Sequence, residues 1–223
     1  MEADAGIEAA KDKMSDERKP MGEKFAKSKG FKAYMKFLIW QRDTLGLPDS
    51  FTNSLRDEPD DWTFVIKLHA MIETALNHLL IARFKKAELP ELETVVPELA
   101  NSDPKRGKIA FIKRLKLLPD EFCNFIQQFS ELRNTMVHDA SNFKMKLTEY
   151  VPKGGSINKW RERLTIGMRS FGMDDNIEAC VQSAIANPRQ ALYGTCFTVM
   201  IEIFKKASVL SQSAQAAVKS TPS

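Results

Sequence analysis

The sequence predicts an all-α fold, a single-domain up-and-down helical bundle, and three observations carry that reading. Gly and Pro supply ten residues each of 223, about 9% against a typical roughly 12%, so backbone breakers are scarce. Two long stretches, 60–89 and 120–151, contain neither residue. Within them apolar side chains recur every three or four positions, the spacing of one face of a helix. The composition, 43% hydrophobic and 28% charged, is that of a folded globular domain with a real core rather than a disordered chain.

Residues 1–22 are polar and of mixed charge and read as a flexible arm, with the domain expected over 23–210 and a flexible polar tail over 211–223. From Glu23 to Leu45, Phe25, Phe31, Tyr34, Met35, Leu38 and Trp40 mark an amphipathic helix weakened by Gly30. The GLPDS segment then breaks it. The stretch 60–89 opens on Asp60 and Asp61, acids that suit a first helical turn, and closes on Lys85 and Lys86, which suit the last. ELPELETVVPELANSDP is a Pro-punctuated connection, followed by a short basic helix, KRGKIAFIKRLKLL. After Pro119, the residues Phe122, Phe125, Ile126, Phe129, Leu132 and Met136 trace the second long helix. VPKGGSIN is turn chemistry, and a small β-hairpin near 148–166 is the one non-helical element the pattern allows. A last amphipathic helix follows Pro188.

Function classes are narrowed by what is missing. Three cysteines, Cys123, Cys180 and Cys196, form no C-x-x-C pair, which excludes a disulfide framework and suits a reducing cytoplasm. The first residues carry no apolar signal segment, and the apolar run near 196–204 is interrupted by Glu202, so a cytoplasmic location without membrane association is expected. The three histidines, His69, His78 and His138, have no Cys or His at ligand spacing, so neither metal nor other cofactor is expected. No G-x-S-x-G and no Gly-rich phosphate loop occurs. The net charge of +4 permits an acidic partner without demanding one.

The segment RNTMVHD, residues 133–139, stands out at the polar end of the second long helix. Asn134 and His138 are i,i+4 and share a face, so the amide can orient the imidazole. Arg133 lies at the rim of the apolar stripe, where a permanent charge calls for a partner. An ideal helix sets Arg133 and His138 about 140° apart, so they converge only through the helix end or a second copy of the chain. The plainer alternative is a helix-terminal charge pair that favours the helix dipole. Glu73 falls on the face drawn by Trp62, Ile66, His69, Leu76 and Leu80. There it either orients Arg133 across the bundle, pairs with His69, or reaches water at the stripe's edge. Lys105, Arg106, Lys108, Lys113, Arg114 and Lys116 place six bases in twelve positions without an acid. That is either a solvated face or an electrostatic footprint for RNA phosphates.

RNTMVHD, with LHAMIETALNHLL and its glutamate upstream, resembles the HEPN superfamily over about residues 60–145. Members are small helical bundles marked by an Arg, a polar residue and a His four to six positions beyond the Arg. The resemblance is nearest to mannitol operon repressor-like and single-domain toxin-type forms. It implies that Arg133, Asn134 and His138 form a catalytic trio of a metal-independent endoribonuclease, with Glu73 in support, in a toxin or phage-defence setting. It also implies a homodimer that pools two motifs, RNA as substrate, and an antitoxin or other protein partner. Some members keep the fold and bind without cutting, which is the alternative reading. Ala140 stands where certain toxin members carry a tyrosine that receives nucleotides, so that regulation is not expected.

Overall fold

The computed structural model describes residues 29–48, 50–87, 89–101, 103, 105–138, 140–149, 163–170 and 177–219. Every regular element among them is helical. The all-α expectation holds, and the chain divides into two compact units, residues 1–47 and 48–223.

The first unit contributes helix α1, Lys29–Leu45. Within it the Phe37 and Trp40 rings stack at 6.0 Å, and it stops at the expected GLPDS break. The segments expected as an N-terminal arm and as residues 23–28 of this helix lie outside the described residues.

The second unit is the bundle. After α2 (Phe51–Arg56) comes α3 (Asp61–Lys86), and its boundaries follow from its ends. Asp60 sits in extended conformation and its carboxylate accepts from Thr63 N at 2.7 Å, an N-cap that also lowers the Asp60 pKa. Basic Arg83, Lys85 and Lys86 close the last turn. By length and composition α3 is the one described helix apolar enough to cross a membrane. Its buried face, Phe64, Val65, Leu68, Met71, Ile72, Ala75, Leu76, Leu79 and Leu80, packs instead on neighbouring helices of the same unit.

A 3₁₀ turn, Pro90–Glu93, leads into the loop before α4, Lys108–Arg114. Asp103 Oδ1 accepts from the backbone N–H groups of Lys105 and Arg106, each at 2.8 Å. The loop then folds so tightly at Gly107 that a Cβ there would lie 2.6 Å from Asp103 O. Helix α4 ends unusually. Leu117 N donates to Ile112 O and Lys116 N to Lys113 O, both at 3.0 Å, which is a Schellman closure with Lys116 at φ 50 in the position glycine normally takes. A side chain in that conformation costs about 1–2 kcal/mol.

Helix α5, Asp120–His138, starts after Pro119 with Asp120 and Glu121 in its first turn. It stops well short of the Gly- and Pro-free stretch that reaches 151, because its last carbonyls are capped from outside. Trp62 Nε1 donates to Met136 O at 3.1 Å and Asn142 Nδ2 to Thr135 O at 2.8 Å. A 3₁₀ turn, Ala140–Lys144, follows. The tip of the hairpin expected near 148–166 lies outside the described residues. Its described flanks are helical rather than extended: 147–149 form a helical turn, and 163 and 164 are helical too.

Helices α6 (Ile166–Ser170), α7 (Ile177–Ala186) and α8 (Pro188–Lys219) complete the unit. The largest packing surface joins α8 to α3, and the next joins α8 to α6. Backbones cross closely at the second. A Cβ on Gly167 would lie 2.6 Å from Gly194 C, while Gly167 N donates to Thr195 Oγ1, which donates onward to Leu164 O. Helix α8 runs to Lys219, through most of the segment 211–223 expected as a tail. Its SQSAQAAVK sequence is rich in good helix formers and meets no Pro until Pro222. At its start Arg189 lies over the Phe64 ring, 4.5 Å from the centroid, and bonds Asp61 Oδ1 at 3.3 Å and the Glu58 carbonyl. Asp61 Oδ2 also accepts from Leu147 N at 2.8 Å. These contacts fix the start of α3, and with it the indole that caps α5.

Candidate functional site

Helix α5 carries two polar groups of different character: Ser130 belongs to the inner one, and the outer one runs from Arg133, about 4.5 Å further along the axis, to His138, about 12 Å from Ser130. The inner group gathers where α3, α4 and α5 meet. His69 is buried and its Nε2 lies 3.0 Å from Ser130 Oγ. The Ser130 hydroxyl donates to Ile126 O at 3.0 Å, so the hydrogen-bond pattern assigns the imidazole proton to Nε2. His69 Nδ1 faces Glu73 Oε2 at 3.9 Å, and the ring leans on Phe129 with centroids 5.5 Å apart. Burial pushes the His69 pKa down to about 4. Glu73 opposes that shift, while the charges of Arg133 and Lys108 add to it. His69 is therefore neutral at pH 7.

Glu73 does not bond Arg133. Its Oε1 accepts from Lys108 Nζ at 2.9 Å, and the carboxylate is 38% exposed whereas the Lys108 side chain is 1% exposed. Two expectations change together. Trp62, Ile66 and Glu73 flank the buried face of α3 rather than run down its middle, so the carboxylate reaches water on one side. Lys108 is a core residue, unable to touch RNA, because burying its stem beside Ile109 and Ile112 brings its ammonium onto Glu73. Ser130, His69 and Glu73 line up in the order of a hydrolase triad. Ser130 is 2% exposed and its proton is committed to Ile126, so the group is structural.

The outer group is the motif. Arg133 is half-buried and its Nη1 donates to Asn134 Oδ1 at 3.1 Å. Asn134 is half-buried, and His138 is exposed as the last residue of α5. Arg133 and Asn134 are thus brought together within one chain, and His138 has no hydrogen bond or ion pair to a described residue. Val137, the residue before it, and Phe143 in the following 3₁₀ turn are exposed apolar side chains, 39% and 58% accessible.

The remaining bases of the run separate. Lys105 and Arg106 are exposed on the Asp103 turn, and Arg114 is exposed on α4. Lys113 is half-buried with its Nζ on Asn124 Oδ1 at 2.7 Å. Lys116 is exposed and lines, with Lys113, a groove of about 690 Å³ against α8.

Among the described residues no cluster of three His, Cys, Asp or Glu is placed to hold a metal. The three cysteines are buried and form no disulfide, with burial pushing the Cys123 thiol up to about 11 and raising the Cys196 thiol well above its ordinary range. Cys123 and Cys196 are thereby unreactive as nucleophiles. Sequence reasoning missed Ser130 and the structural role of Lys108. The signal for Lys108 was present: it shares a helical face with Ile112 and Leu115, and an unpartnered Glu73 on an apolar stripe calls for a cation. Comparison of the chain with protein-family models, with curated proteins and with solved structures finds no match.

Proposed function

We propose that the protein is a metal-independent endoribonuclease of HEPN type, cytoplasmic, acting as a homodimer that pools two Arg133–Asn134–His138 motifs. The observation that carries this reading is the exposed His138 at the end of α5, one turn from the Arg133–Asn134 pair, on a helix end held by Trp62 and Asn142. RNA supplies its own nucleophile, the 2′-hydroxyl, so proton transfer and charge stabilisation at one phosphate suffice. An accessible imidazole removes or returns the proton near neutral pH. A guanidinium, always charged, matches the phosphate oxygens as negative charge builds. One chain offers one of each, and a second copy facing the same phosphate doubles them.

Purified protein should cut single-stranded RNA in excess EDTA, leave 2′,3′-cyclic phosphate ends and spare the 2′-deoxy oligonucleotide. His138→Ala should lower the rate by about 10²–10⁴-fold, and light scattering should give about twice the 25.3 kDa chain mass. Wild-type cutting by His138→Ala, or cutting abolished by EDTA, refutes the assignment.

One observation favours the second reading, a non-catalytic regulatory or binding module. Asn134 Oδ1 is taken by Arg133 rather than left to orient His138. Under that reading no RNA is cut in either buffer.

A further inference from the structure

The groove at the other end of α5, about 27 Å from His138 by helix rise, is lined by Lys113, Lys116, Lys205 and Lys206, with Glu202 and Asp120 as its acids. We propose that this groove is a second anchoring site for single-stranded RNA, holding backbone phosphates away from the reacting one. The inference rests on the reading of the protein as one that acts on RNA, and it names where the rest of the strand is held.

Three observations converge on it. The first is charge. Four ammonium groups face two carboxylates, and the pairs that exist leave cations over. Lys205 takes Glu202, and Lys113 takes the neutral Asn124 amide. Lys116 and Lys206 are exposed with no side-chain partner among the described residues. The second is shape. These lysines come from two segments far apart in sequence, the end of α4 with the turn after it and α8, and they surround a concavity of about 690 Å³, inside the roughly 300–1,000 Å³ range of ligand clefts.

The third is the backbone. Lys116 is, among the described residues, the one non-glycine at positive φ, 50°. It occupies the position where glycine closes such a turn without strain. Its side chain is exposed, so no packing requires lysine there. A locally unfavourable residue with no structural return is what a functional site looks like. Among the described residues no aromatic side chain lines the groove, so the contact offered is with phosphates, whatever the sequence.

The test is binding, read by fluorescence anisotropy on a labelled 2′-O-methyl oligonucleotide of about 16 nucleotides, a probe that lacks the attacking hydroxyl and is not cut. Lys116→Gly should raise the melting temperature by about 2–4 °C yet weaken binding about 3- to 10-fold. The plot of log affinity against log salt should flatten by about 0.7 per lost phosphate contact. Lys206→Glu, on the other wall, should weaken binding at least as much. Lys86→Glu, exposed at the end of α3, is the charge control and should matter less than either. Unchanged affinity and slope in both groove variants, or an equal loss in Lys86→Glu, overturns the proposal. Displacement of the probe by poly-glutamate as readily as by unlabelled oligonucleotide overturns it as well. The two readings fail separately. A lysine effect without cleavage of natural RNA removes the ribonuclease and keeps the groove. Cleavage without a lysine effect does the reverse.

Discussion

The inner and outer polar groups of α5 use the same kinds of residue to opposite ends. Each includes a histidine and a cation. The inner histidine, His69, is enclosed by α3, α4 and α5, is satisfied by Ser130, and has lost its affinity for protons to burial. The outer one, His138, is exposed at a helix end with its face open. Closure decides the role. A polar side chain sealed among helices contributes to uniqueness of packing and is costly to disturb. The same side chain at an open end adds almost nothing to stability and is free for chemistry.

The comparison is most sharply tested by unpairing the inner group. Glu73→Ala leaves the Lys108 ammonium buried without its carboxylate, and should lower unfolding free energy by about 3–5 kcal/mol in urea titrations. A loss below about 1 kcal/mol would mean that water reaches Lys108 and the inner group is not sealed.

The next effect is a pH dependence. His69 binds its proton with a pKa near the usual 6.5 when unfolded and about 4 when folded. Above pH 6.5 it is neutral in both states and the stability is fully present. As pH falls from 6.5 toward 4 the unfolded chain takes up a proton that the folded one refuses. Stability should therefore drop by up to about 3 kcal/mol across that window. His69→Gln should flatten this limb, and an unaltered acid limb in that variant would place the responsible group elsewhere.

Removing the other partner of the pair should cost less. Lys108→Met keeps the buried stem's volume and leaves Glu73 on its watery side, so stability should change by no more than about 1.5 kcal/mol in either direction. A penalty as large as that of Glu73→Ala would show that the carboxylate, not the ammonium, is the buried charge that matters.

The smallest expected change is at the outer group. His138→Ala should shift stability by no more than about 0.5 kcal/mol while removing the RNA cleavage proposed for the protein. Calorimetry on the same preparation used for the cleavage assay checks both. A large melting shift would make His138 a structural residue like His69.

Periodicity and breakers were enough to read the helical class, the span of α3 to within a few residues, and the apolar face of α5, because these depend on neighbours three and four apart in the chain. The placement of Arg133, Asn134 and His138 was legible as well, since they lie on one turn and a half of one helix. What lay beyond the sequence was every fact that depends on a partner distant in the chain. The end of α5 is set by Trp62, 74 residues upstream, so a Gly- and Pro-free stretch reaching 151 ran on past it. Lys108 reads as one more solvated base until Glu73, 35 residues away, is seen beside it. Nothing in the local pattern marks Gly167, whose missing Cβ admits the α8 backbone. Local pattern fixes which helices form and which faces are apolar, because those energies are summed within a turn or two. Only the folded chain decides which charges are buried together and which ends stay open, because burial and dielectric belong to the whole packed arrangement.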